Sequence, residues 1–406
     1  MLTQMAARCN HPSVAPVNIH MTQQTSNMSI SIYHNIMWSK YKGGVFSAIH
    51  ALSKDVQFTQ IAETEGDRVA LGSVDLNYHR YPYRLLFKGS YSATSTWQRT
   101  LKLMKCAWKD TADIIVLPGY ERIEYWAMLG VLMLRGKPRA VFCDSTAHDR
   151  PRKAITSVAK KLFFSCCNGF FGYGMRSREY LMSYGVPASK IYFRCQAAAL
   201  PLDYSEQSAH QARLEASPDG FPHFVYVGRL SSEKGLDTLI QATAQIQKDH
   251  PDVRVDLIGA GPLKDELKSM IEAAGLTRHV RLLGSMDIRQ LAVQYAKATA
   301  MILPSTSEPW GLVVNEAMSH GCPCIVSDIC GCVPELVVAA KTGFSFRASD
   351  AQDLHQKMMA ACIAFKNREE TSMNCIEHMR RFSPQNAACQ IIEGCKSILN
   401  PNRSTP

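Results

Sequence analysis

Two glutamates, Glu308 and Glu316, bracket a glycine in the stretch ILPSTSEPWGLVVNEAMSHGCPCIVSD at 302–328. An ionised carboxylate only accepts hydrogen bonds, so each can take O–H donors from a ligand. The Ser-rich loop and Gly311 leave the N–H groups of the following helix open at its start, together with Leu312 and Val313, where a phosphate can sit. Two carboxylates beside a phosphate repel it unless each faces hydroxyls. The spacing therefore suits a ligand with sugar hydroxyls flanking a phosphate group. The competing reading is a solvated loop glutamate and a helix glutamate paired with a lysine. Upstream, GRLSSEKGLDTLIQA places Arg229 and Lys234 on a loop running into a helix near Gly235. A bidentate guanidinium and a compact ammonium at a helix start make a diphosphate clamp. An exposed ion pair is the plainer alternative.

These residues need a scaffold, and the chain's periodicity supplies one. Residues 301–304 and 323–327 read as strands around a helix at about 311–319. Residues 224–227, 253–259 and 280–284 read as further strands, and 263–274 as a helix. In the first half, 28–38 is a strand, followed by a helix over 40–52 that Gly43 and Gly44 open. A double glycine between strand and helix permits close approach of a ligand, or simply a tight turn. After two poorly patterned segments, strands at 112–117, 139–143 and 169–173 alternate with helices at 96–110, 121–135, 152–166 and 177–184. Alternation of this kind predicts parallel, doubly wound sheets whose ligands bind beyond the carboxyl ends of the strands.

That rule singles out AVFCDSTAHDRPRK, where Asp144 ends a strand and His148 follows in its loop. Either can contact an acceptor, His148 with a pKa suited to proton handling. A carboxylate or serine capping the next helix is the alternative, and Pro151 fits it. Gly259 and Gly261 turn a strand into a helix, a weak signal alone.

A chain of 406 residues suggests two domains. Residues 1–27 are expected to be an unpatterned tail, 28–205 and 206–383 the domains, and 384–406 a last helix and tail. The break lies in 196–222, where periodicity fails among Pro201, Pro218, Gly220 and Pro222. No secretory signal or membrane-length apolar run is evident, so a cytoplasmic protein is expected. Residues 1–205 carry a balance of +12 and 206–406 of −2. A basic first half points to an anionic partner. Arg150, Arg152, Lys153, Lys160 and Lys161, with Phe163 and Phe164 nearby, could rest on an anionic membrane. A solvated charged face is the alternative. No nucleic-acid recognition motif is present. Cys322, Cys324, Cys330 and Cys332 form a C-x-C…C-x-C cluster that reads as buried free thiols better than as zinc ligands.

The segment SEPWGLVVNEAMSHGCPCIVSD resembles the Glu-x7-Glu segment of the family 4 retaining glycosyltransferases, and GRLSSEKG resembles that family's G-R-L-x-x-x-K-G segment. The resemblance implies a GT-B fold, two Rossmann-like domains facing each other across a cleft. It implies transfer of a sugar from a UDP- or GDP-linked donor to a glycan or lipid-linked acceptor, with retention and without a cofactor. It also implies that Arg229 and Lys234 hold the diphosphate, Glu308 the donor sugar and Glu316 the ribose. Gly43 and Gly44 border the cleft, Gly259 and Gly261 flank the nucleotide, and the backbone near Leu283 meets the base. Asp144 or His148 would position the acceptor. The family commonly needs no metal, in keeping with the lack of an evident Asp-x-Asp motif. Cell-surface polysaccharide or glycolipid synthesis, at the inner face of the cytoplasmic membrane, follows from family habit. The linker CQAAALPLDY departs from the family's usual pattern. An epimerase or hydrolase using the same cleft, or a non-catalytic binding subunit, are the rival readings.

Overall fold

Runs such as IIVL at Ile114–Leu117 and AMIL at Ala300–Leu303 are buried along their whole length. That pattern belongs to parallel strands covered on both faces. The computed structural model describes residues 28–66, 74–147, 154–216 and 220–401. Among these residues, two parallel sheets form, of seven and six strands.

The first sheet contains β1 (Ile30–Ile36), β2 (Val56–Ala62), β3 (Tyr83–Leu85), β4 (Ile114–Leu117), β5 (Arg139–Cys143), β6 (Gly169–Gly172) and β7 (Ile191–Tyr192). Its order is β3-β2-β1-β4-β5-β6-β7. The second contains β8 (His223–Val227), β9 (Arg254–Ile258), β10 (Val280–Gly284), β11 (Ala300–Leu303), β12 (Cys324–Ser327) and β13 (Gly343–Phe346). Its order is β10-β9-β8-β11-β12-β13. Both sheets reverse their winding at one place, between β1 and β4 in the first and between β8 and β11 in the second. A crevice opens at such a switch point, beyond the carboxyl ends of the two strands.

The poorly patterned residues after the first helix hold β2 and β3. β2 is VQFTQIA, nearly all buried, and its polar members hid it. Gln60 satisfies its amide inside the core, against His34 Nδ1 at 3.2 Å and Tyr81 Oη at 2.8 Å. A buried parallel strand need not alternate, so a polar one loses its sequence signal. The segment taken as the domain break likewise contains a helix, Glu206–Glu215. Its Arg213 is fully buried and donates through Nη1 to the carbonyls of Tyr295 and Ala298, both at 2.9 Å. A guanidinium there satisfies carbonyls left open at the end of the Ile288–Lys297 helix.

The four clustered thiols, Cys322, Cys324, Cys330 and Cys332, are fully buried in the second core, and burial raises each of their pKa values. The last helix, Pro384–Leu399, returns to the first domain. Its Ala387, Ala388, Ile391 and Cys395 join the core around Ile30 and Phe46. Two expectations are corrected. Gly43 and Gly44 lie within the first turns of the Lys40–Leu52 helix, which Ser39 already opens, rather than in a loop before it. Phe163 and Phe164 are core residues, packed on Trp126, Tyr120 and Phe170, so they offer no aromatic contact to a membrane.

Candidate functional site at the two switch points

The loop after β8 carries Arg229 and Lys234, and the loop after β11 carries Glu308, so both flank one crevice. The two loops are stitched together. Thr306 N–H donates to Glu233 O at 2.9 Å, and Gly235 adopts φ +60° with its α-hydrogen face against Pro304 O. A Cβ at Gly235 would fall 2.2 Å from that oxygen. The backbones can meet so closely only at glycine. The contact sets Lys234 Nζ 2.5 Å from Glu308 Oε2, with both side chains mostly buried. Arg229 stands more open, its Nη2 2.8 Å from Glu233 Oε1. The sequence alternatives thus come out mixed. Glu308 is paired with a lysine, but with the one that reads as a phosphate ligand.

Gly311 begins the Leu312–Ser319 helix in the left-handed region at φ +98°. The N–H groups of Leu312 and Val313 fall in the first turn, where an α-helix offers no carbonyl partner. Glu316 sits one turn further on. Burial pushes its carboxyl up to about 8, and a hydrogen bond from Tyr295 Oη at 3.5 Å opposes that rise only weakly. Gly259 and Gly261 pack their α-carbons on the loop after β8, at Gly228 O and Leu230 O. They shape the crevice floor by contact, and Leu283 lies half-buried at the end of β10.

The β1/β4 switch point of the other domain holds a cavity of about 270 Å³ lined by His34, Asn35, Lys42, Glu121, Phe142, Asp144 and Tyr173, among others. Asp144 follows β5 directly, as the sequence placed it. His148 lies outside the described residues. Lys42 and Glu121 were missed by sequence reasoning. Among the described residues Lys42 Nζ is buried without a hydrogen-bond partner, 4.5 Å from the Phe142 ring centre and 5.1 Å from that of Tyr173. Burial lowers its pKa to about 8, opposed by the nearby Cys195 thiol and the Asp144 carboxylate. Glu121 is raised by burial and by Asp144. His34 is lowered to about 3 by burial and by Lys42, which leaves its imidazole neutral. The only sequence hint was that Lys42 precedes the double glycine and that Glu121 opens a predicted helix.

The two switch points meet through Tyr173. Its ring lies edge-on to Trp310, with centres 6.4 Å apart, while its face takes the Lys42 ammonium. Glu335 fastens the domains beside this contact, accepting from Met175 N–H at 2.7 Å and from Arg194 Nε at 3.1 Å. A larger cavity, about 620 Å³, lies nearby between Gly44 and Tyr78 of the first domain, the 198–202 linker and Ser319. Gly44 has open space where a Cβ would stand, whereas Gly43 is closed off by Tyr78 O.

Comparison with known proteins bears on both halves. Anabaena HepE, crystallised in complex with UDP, superposes with a TM-score of 0.68 at 19% identity, over 91% of this chain and all of that one. The D-inositol 3-phosphate glycosyltransferase of Corynebacterium aurimucosum is 30% identical over 172 residues, 41% of each protein. The glycogen synthase of Mycobacterium tuberculosis is 34% identical over 135 residues, 33% of this chain and 32% of its own. The chain thus aligns with well under half the length of these two curated relatives. The matching family, described as Glycosyl transferases group 1, covers residues 209–381, which include Arg229, Lys234, Glu308 and Glu316. The fold is GT-B, and its second domain resembles glycosyl transferases group 1.

Proposed function

We propose that this chain is a hexosyltransferase that moves a sugar from a nucleoside diphosphate donor, UDP- or GDP-linked, to a hydroxyl of a glycan or lipid-linked acceptor. The observation that carries the reading is the Lys234–Glu308 pair at the β8/β11 crevice, set against the Lys42, Glu121 and Asp144 cavity at the β1/β4 crevice. A cation–carboxylate pair with an adjacent arginine offers a diphosphate its counter-charge and a sugar its hydrogen-bond acceptor. On donor binding, Lys234 turns to the phosphate and Glu308 to the sugar hydroxyls. Glu316 accepts from the ribose diol. Arg229, Lys234 and the N–H groups of Leu312 and Val313 stabilise the charge that grows on the departing diphosphate. In this reaction the protein's own cations supply that charge.

Configuration is retained through a front-face displacement. The bond from the anomeric carbon to the phosphate oxygen breaks as the acceptor oxygen bonds to the same face. The acceptor's proton passes to the leaving phosphate. No protein nucleophile takes part, and Asp144, with Glu121 and Lys42, orients the acceptor. The complexes of HepE with UDP and UDP-glucose make uridine the nucleotide to try first. Work at the inner face of the cytoplasmic membrane, in surface polysaccharide or glycolipid synthesis, fits the basic first domain.

The test is a thermal-shift and turnover panel of UDP- and GDP-sugars, with and without candidate acceptors, on the wild type and Glu308→Ala. Selective stabilisation by one donor, with acceptor-dependent turnover lost in the variant, is the expected result. Isomer or free sugar formed equally well without acceptor would move the assignment to an epimerase or hydrolase. Stabilisation without any turnover would leave a binding subunit.

A further inference from the structure

The Thr96–Lys109 helix, TWQRTLKLMKCAWK, has two faces that a single-sided amphipathic helix would not need. One packs inward through Leu103, Cys106, Ala107 and the buried Arg99. The other turns Trp97, Leu101, Met104 and Trp108 to solvent, with 70%, 47%, 36% and 60% of their surfaces exposed. At 100° per residue these four fall within about 60° of one another, so they form one stripe with an indole at each end. Lys102, Lys105 and Lys109 are exposed along one flank of it, and the helix carries no acidic residue. Among the described residues none of the three enters an ion pair.

We propose that this helix is the element that docks the protein on an anionic bilayer surface. Apolar and indole side chains lie at the headgroup level while the lysine row meets the lipid charge. The charge pattern selects this occupant. A two-fold contact between copies through the same stripe would bring lysine rows of like sign together. The helix is also braced to stay in place. Arg99 Nε lies 2.9 Å from Glu124 Oε1, and its Nη1 donates to Tyr91 O at 2.6 Å. At the far end, Arg135 Nη1 donates to Ala107 O at 2.7 Å and Asp110 O at 2.6 Å. The residue before it, Leu134, is exposed as well. Arg122, which lines the acceptor-side cavity, stacks on the same Tyr91 that Arg99 holds. The docking helix and the cavity therefore share a brace.

This inference deepens the membrane contact proposed above, yet its test does not depend on sugar transfer. Vesicle flotation would compare phosphatidylcholine alone with phosphatidylcholine containing phosphatidylglycerol. The proteins are the wild type, Trp97→Ala/Trp108→Ala, and Lys102→Gln/Lys105→Gln/Lys109→Gln. The wild type is expected to float with the anionic vesicles only. At about fivefold per lysine, the triple variant loses on the order of 100-fold in partitioning. The double tryptophan variant loses at least about tenfold, together with the blue shift of indole emission on binding. All five substitutions are at exposed positions, and far-UV circular dichroism confirms that the variants fold. Equal flotation of wild type and variants, or no flotation of the wild type, overturns the proposal. So does a shift of the wild type to dimer that the tryptophan variant abolishes, or binding of RNA in place of vesicles. Failure here with intact donor turnover leaves the transferase reading standing, and the reverse result separates them equally well.

Discussion

Replacing Glu316 by glutamine should do opposite things to stability and to donor binding, because the carboxyl is mostly buried and pairs with no cation among the described residues. Its pKa in the fold is about 8 against an ordinary 4.5. A carboxyl raised in this way holds its proton in the folded state after the unfolded chain has lost it. Its contribution is therefore fully present below about pH 4.5 and is lost as pH rises towards about pH 8. The displacement corresponds to roughly 5 kcal/mol as a ceiling, at about 1.4 kcal/mol per pKa unit. Cleft water reaching the partly exposed side chain brings this to about 2–3 kcal/mol. Glu316→Gln keeps the shape of the protonated form and cannot ionise. Its melting temperature should match the wild type near about pH 5 and exceed it by roughly 4–12 °C near about pH 9, at about 2–4 °C per kcal/mol.

Nucleotide binding should move the other way. If the ribose diol donates to an ionised Glu316, the free protein must release the proton it holds. At about pH 7 a group with a pKa of about 8 is roughly 0.9 protonated, so UDP or GDP binding releases close to one proton. Titration calorimetry in buffers of different ionisation enthalpy reads that number directly. The variant should release none and bind about 10–100-fold more weakly, the cost of a hydrogen bond to a charged acceptor. Parallel melting curves across pH, or binding without proton release in the wild type, would refute the reasoning.

Two further outcomes follow from the same geometry. Lys42→Met removes a buried ammonium that has no hydrogen-bond partner among the described residues, so the protein should melt higher, by the equivalent of about 1–3 kcal/mol. Acceptor turnover should fall with little change in donor affinity, and a lower melting temperature with turnover intact would make the amine a structural group. Gly235→Ala pushes a Cβ into Pro304 O at a positive φ and should destabilise the second domain by about 2 kcal/mol or more, with donor KM raised more than kcat is lowered. Unchanged melting and KM would show that the two loops do not depend on that contact.

The second domain was largely readable along the chain. Its strands are short apolar runs, its helices begin at glycine or polar turns, and the cations and carboxylates sit at local junctions between them. Arg229 and Lys234 belong to one strand–helix turn, and Glu308 and Glu316 to another. Local patterning is sufficient for residues that act from the ends of their own elements. The first domain was less readable because β2 is polar within a buried sheet, and its Gln60 is satisfied by His34 and Tyr81, which are distant in sequence.

Other features depend on long-range proximity, which no spacing encodes. The Lys234–Glu308 pair joins residues 74 positions apart, and exists because two loops meet at a switch point. Lys42, Glu121 and Asp144 come from three different strand–helix junctions, and a lysine in a polar stretch carries no mark of burial until Phe142 and Tyr173 close over it. The reverse holds for Phe163 and Phe164, which the chain order set beside basic residues and packing took into the core. Trp97 and Trp108 show the same limit from outside. Periodicity put them on a helix, but only the packing of Leu103, Cys106 and Arg99 decided which face was left to solvent. Side-chain types and local spacing therefore settled the chemistry on offer and the class of sheet that carries it. Which groups share a crevice, which charges lose their water and which apolar face stays uncovered were settled by tertiary contact, since those depend on what approaches from elsewhere in the chain.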